Sequence, residues 1–325
     1  MINKSIGYTQ FEIQLAKVEK LLAESLKDKK PGLWLYQHDL RTPLFMLEGL
    51  SRIYGNIKPS KKMKKLNERF KSLEDSVGVL DYYASFEKEF SENKNVGLKV
   101  NVFLQSKADQ SLQTLNTILK DGNWLNGIRI NKIRKSLKSY PWIENEKKEM
   151  IALKQSYQKE IKAIKSFASK TKFSFKNVEA DLHEMRRRVR WLSIYPQALG
   201  GAIKLREMNS VKVVLKKYIT PEVMNSPYNL LPEMPLLKEH ILLDKNVFLS
   251  LSWIISALGK LKDQGLRIHL LEEAFKKIRS GTLGKKDKVL TVLGINYPTI
   301  QTILAKASEI CKIYFNEKNM DALVV

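Results

Sequence analysis

Residues 182–192 read Leu182-His183-Glu184-Met185-Arg186-Arg187-Arg188-Val189-Arg190-Trp191-Leu192. At helical period Leu182, Met185, Val189 and Leu192 line one face, while His183, Arg186, Arg187 and Arg190 fall at i, i+3, i+4 and i+7 on the neighbouring one. The stretch therefore predicts an amphipathic helix with a cationic stripe beside its core stripe. Arginines four apart repel by roughly a few tenths of a kcal/mol when exposed, and by more when desolvated. A helix that only fills space has no reason to stack them, so the stripe predicts an anion. The plain alternative is a solvated basic face.

The rest of the chain favours the anion. Its 325 residues carry 57 Lys and Arg against 34 acids, a formal net charge of +23. Such an excess costs self-repulsion in the folded state unless a polyanion offsets it. Nucleic acid, an anionic membrane surface and another phosphate polymer are the candidate partners. An apolar content of 43% describes a folded protein, and the length suits one large domain or two halves. One cysteine, Cys311, excludes an internal disulfide, and with only four histidines a Cys/His zinc cluster is not expected. Residues 1–10 are polar and lack the apolar core of a signal peptide. The longest apolar run, 247–258, contains serines and is bracketed by Lys245 and Lys260. It is too short to span a bilayer and predicts a buried core helix. A soluble cytoplasmic protein is expected, without membrane insertion.

Helical periodicity dominates throughout, so the fold class is all-α. Helices are predicted over 8–27, 33–54, 60–91, 105–120, 129–139, 143–172, 177–195, 210–218, 237–263, 266–280 and 298–316. The briefly alternating piece 96–103 is expected to be loop or helix entry, because a lone strand among helices has nothing to pair with. The loop 220–235, with Pro221, Pro227, Pro232 and Pro235, is the longest irregular segment. A search for internal repetition finds one other His-x-x-Arg, His38-Asp39-Leu40-Arg41, 145 residues before His183. Each is followed by a second similar segment, Leu73 to Asp81 with Val77-Gly78-Val79-Leu80, and Leu251 to Asp263 with Leu258-Gly259-Lys260-Leu261. The chain reads as two helical halves of similar plan, 1–160 and 161–325, with no Gly/Ser linker between them and one shared core.

These four segments resemble the conserved histidine α-helical domain (CHAD) family, which has two helical repeats, each with a His-x-x-Arg helix and a later Leu-Gly-x-Leu-x-Asp segment. The second repeat matches through His183, Arg186, Arg187, Arg190 and 258–263. The first departs from the pattern, with Thr42, Pro43 and Phe45 where basic residues would follow Arg41, and with 77–81 one residue shorter. The resemblance implies a non-enzymatic domain without cofactor, with a central basic groove or pore that binds inorganic polyphosphate, and association with polyphosphate granules. Physical chemistry points the same way. Several cations on rigid helices hold a flexible phosphate chain, Arg through forked contacts and Lys as point charges.

Further candidates lie on other faces. Lys58, Lys61, Lys62, Lys65 and Arg69 form a five-cation stripe at helical spacing, and Arg52 returns to the face of His38. Lys204, Lys212 and Lys216 occupy the comparable stretch of the second half. The patch Lys132, Arg134, Lys135 and Lys138 has no matching partner in the other half, so it ranks lower. The alternative functions are nucleic-acid binding through the same charge, or a histidine phosphotransfer or scaffold protein. The latter rests on His38-Asp39-Leu40-Arg41-Thr42-Pro43, which looks like a kinase phosphoacceptor box but lacks any glycine-rich ATP-binding motif after it. Glu144-Asn145-Glu146-Lys147-Lys148 resembles a triphosphate-tunnel motif, which needs a strand; here it opens a predicted helix.

Overall fold

The computed structural model describes residues 5–208, 210–234, 237–278 and 285–325. Helices dominate: α1 (Ile6–Ser25), α2 (Pro31–Gln37), α3 (Arg41–Ile57), α4 (Lys61–Ser91), α5 (Leu98–Asp121), α6 (Ile128–Lys138) and α7 (Glu146–Lys170) come first. A π-helical turn, Val178–His183, leads into α8 (Glu184–Ala198). Then come β1 (Ile203–Arg206), α9 (Val213–Lys216), α10 (Pro221–Met224), β2 (Ile241–Asp244), α11 (Lys245–Ile278), α12 (Lys285–Leu293) and α13 (Ile300–Asn316). Short polar side chains start several helices. Ser5, Ser60, Asn145 and Thr299 each accept a hydrogen bond from the N–H three residues on.

One contiguous core runs from Ile6 to Leu323. Helix α3 lies at its middle, with Leu44, Leu47, Leu50 and Ile53 fully buried, and packs on α1, α4, α7 and α8. The core stripe read on 182–192 is inside as expected: Leu182, Met185, Val189 and Leu192 have no exposed surface. Helices α3 and α8 approach closely because Gly49 has no side chain, and a Cβ there would sit 3.2 Å from Ile194. At the start of α1, the buried carboxylate of Glu149 accepts from Ser5 Oγ (2.7 Å), the N–H groups of Ile6 (2.9 Å) and Gly7 (3.1 Å), and the Tyr54 hydroxyl (2.7 Å). It thereby satisfies donors that a helix start leaves open. Among the described residues no helix is long and apolar enough to cross a membrane.

Three expectations are corrected. The predicted helix 33–54 is broken at Asp39, which has φ +55 and whose Oδ1 accepts from the Thr42 N–H and hydroxyl, so α3 begins afresh at Arg41. Pro43 sits in the first turn of this new helix, where its missing N–H costs nothing. Residues 237–263 and 266–280 do not form two helices; Ile241–Asp244 is a strand, and a single helix runs on through Gly265. The fold is mostly helical, as expected, with one short parallel pair, β1 and β2, that sets Ile203 opposite Ile241. The helix expected over 210–218 shrinks to Val213–Lys216. The piece 96–103 is helix entry, with Gly97 capping α5.

Candidate anion-binding site

The seam between α3 and α8 gathers the arginines. The Arg41 and Arg190 guanidiniums both lie over the Phe45 ring, 5.2 and 4.4 Å from its centroid. Phe45 meets Trp191 edge to face at 6.4 Å, and Arg52 covers Trp191 at 4.6 Å. The contacts advance together along the two helices, with Arg41 near Arg186, Phe45 under Arg190, and Arg52 hydrogen-bonded to the Tyr195 hydroxyl.

Two further helices supply platforms. On α4, Arg41 pairs with Glu74 (2.7 Å) and Asp81 (2.9 Å), and its guanidinium lies against Gly78, where a Cβ would come within 2.8 Å. On α11, Arg186 lies against Gly259, where a Cβ would come within 3.0 Å, donates to the Ile255 carbonyl and feels Asp263. The two Gly-bearing segments that the sequence pairs with the His-x-x-Arg segments are thus the surfaces on which their arginines rest. Gly78→Val should push the Arg41 guanidinium off Asp81. It should cost only about 1 kcal/mol of stability, since the half-exposed Arg41–Asp81 pair contributes little; thermal melting beside the unmodified protein checks it.

The electrostatics set Arg190 apart. Burial, then Arg186 and Arg41 beside it, lower its pKa to about 10, and burial also lowers that of Arg186. Both stay charged at neutral pH, but in a setting that disfavours the charge until an anion arrives. Among the described residues no carboxylate lies within ion-pair distance of Arg186 or Arg190. Beneath them, burial and then the neighbouring Glu74 push the Glu48 carboxyl up to about 7, opposed by Lys71 and Arg52.

The two candidate histidines bond within their own segments. His38 ends α2 rather than sharing the helix of Arg41; its ring stacks on Trp34 at 3.7 Å and its Nδ1 bonds the Trp34 carbonyl. His183 Nδ1 pairs with Glu179 at 2.8 Å, one turn upstream of the arginines. Arg187 is turned to Glu184 at 2.6 Å and joins no cluster. The lysine stripe is divided. Lys58 lies outside α4 as the cap of α3, Lys62 donates to Ser139, Lys65 points to solvent, and Arg69 faces Arg129. Only Lys61 lines a cavity with Arg52. Lys204 sits on β1 near His240, and Lys212 and Lys216 are exposed at the ends of α9. Among the described residues nothing joins these three lysines to the arginine seam. In the lower-ranked patch, Arg134 is taken up by Glu12 and Glu19.

Sequence reasoning missed Glu74 and Glu48 altogether, although their spacing from Asp81 and Arg52 on one helix face was available. No group of three His, Cys, Asp or Glu among the described residues is arranged to hold a metal ion. The lone thiol, Cys311, is buried and pushed up to about 12, which leaves it unreactive. Comparison with family models, with characterised proteins and with solved structures finds no match.

Proposed function

We propose that this chain is a non-enzymatic binder of inorganic polyphosphate, built from two helical halves, 1–160 and 161–325, that meet at the α3/α8 seam. One observation carries the reading: Arg190, half-buried and crowded by Arg186 and Arg41, has its charge answered by no ion pair among the described residues. A phosphate chain would supply the missing charge to Arg186 and Arg190 through forked hydrogen bonds, beside an Arg41 already held by Glu74 and Asp81. The net charge of +23 and the resemblance to the CHAD family support the same ligand. The aromatic rings favour polyphosphate over single-stranded nucleic acid. Phe45 and Trp191 are already covered by guanidiniums, and Trp191 is buried, so neither offers a free face for a base.

The test is titration with polyphosphate at fixed salt. Arg186→Glu with Arg190→Glu should lower affinity at least about 100-fold with unchanged far-ultraviolet circular dichroism, and Lys135→Glu should change it less than about twofold. Equal losses from both would mean diffuse attraction and would sink the reading. Nucleic acid binding that short polyphosphate fails to displace would favour the other polyanion.

A further inference from the structure

Helix α3 carries the seam beyond the arginine cluster. Arg41, Phe45, Glu48 and Arg52 fall at i, i+4, i+7 and i+11 on one face, which looks into the valley between α4 and α8. At the far end of that face a cavity of about 520 Å³ opens between α3 and the start of α4. Arg52, Lys61 and Lys64 line it, against a single carboxylate, Glu160, which holds Arg52 at 3.6 Å. Asn56 and Asn67 add amide groups to its wall. Between cavity and cluster the valley floor is acidic, with Glu48 and Glu74 both buried. The rim there carries Lys71, which is partly exposed, acts on Glu48 and leans on Asp75.

We infer that this cavity is a second phosphate subsite, joined to the arginine cluster over the Lys71 rim, so that the ligand recognised is a linear polyphosphate long enough to occupy both. The inference rests on the polyphosphate reading. Arg41 and Arg52 are separated by about 16 Å along the helix axis, at 1.5 Å per residue, which takes an extended chain of roughly half a dozen phosphoryl groups. A triphosphate fills one end only. The buried Glu48 and Glu74 offer the floor no cation, so the middle of the chain stays on the rim and partly in water. Two subsites joined in one ligand raise affinity by effective concentration, which neither gives alone.

Calorimetric titration with tripolyphosphate and with a chain of about 15 phosphates decides it. The longer chain should bind at least about tenfold tighter per molecule. Lys61→Glu with Lys64→Glu should remove most of that gain and leave tripolyphosphate affinity within about twofold. Both lysines are exposed, and acids at a helix start are favourable, so the fold survives. Lys306→Glu with Lys312→Glu on α13 makes the same change of charge and should leave the length dependence intact. A length dependence reduced equally by both double variants, or absent in the unmodified protein, overturns the second subsite and leaves the arginine cluster standing. Tripolyphosphate binding that ignores Arg186→Glu with Arg190→Glu overturns the polyphosphate reading itself.

Discussion

Glu149→Ala is expected to lower the unfolding free energy by about 3–5 kcal/mol, the cost of removing one partner from a buried, charge-assisted set. The carboxylate is 1% exposed and holds four donors. Its loss would leave the Tyr54 hydroxyl and the first N–H groups of α1 in a dry interior with no acceptor. Water cannot easily replace it, because Gly7 is pressed against the Tyr54 ring so tightly that a Cβ would overlap it at 2.2 Å. For a domain whose whole margin is about 5–15 kcal/mol, this would move the denaturant midpoint far down. Glu149→Gln keeps one acceptor oxygen and should lose about half as much. A loss below about 1 kcal/mol in the alanine variant would show that α1 is not anchored this way.

Glu48→Gln is expected to act in the opposite direction. Burial, with Glu74 next to it, raises this carboxyl from 4.5 to about 7. The folded state thus holds a proton there that the unfolded chain releases, and ionised Glu48 is a liability of the fold. Below pH 4.5 the group is neutral in both states and costs nothing; the penalty grows as pH rises and is complete above about 7. Stability is accordingly present at low pH and lost as pH climbs through the folded value. Removing the charge should stabilise the protein by about 3 kcal/mol at pH 8, a gain that fades through pH 6 and vanishes near pH 4.5. Denaturant titrations of both proteins at these pH values test the sign. A variant less stable at pH 8 would mean that Glu48 is ionised and held by Arg52.

Much of the architecture follows from local pattern. The core face of α8 is legible in Leu182, Met185, Val189 and Leu192 because a helix face depends only on spacing. Arg186 and Arg190 are legible for the same reason: a cationic stripe adjoining a core stripe must reach the seam where the core ends. What fails depends on partners distant in sequence. The run Ile241-Leu242-Leu243 fits helix or strand, and only pairing with Ile203–Arg206 decides between them. The break at Asp39 carried a local signal: an Asx cap three residues before Thr42, with Pro43 following, marks a helix start rather than a helix middle. That break puts His38 at the end of α2 and Arg41 at the start of α3. The lysine stripe misleads for another reason. Exposed lysines at helical spacing span a wide arc, and neighbouring elements divide that arc, with Ser139 taking Lys62 and the cavity taking Lys61.

The anchoring of α1 also bears on how the chain is made. Ser5 and its acceptor Glu149 are 144 positions apart. At bacterial or eukaryotic elongation rates of about 5–20 residues per second, roughly seven to thirty seconds separate their emergence from the ribosome. For that interval the first turn of α1 lacks its buried acceptor, while α2 and α3, which pack on the helix, emerge earlier.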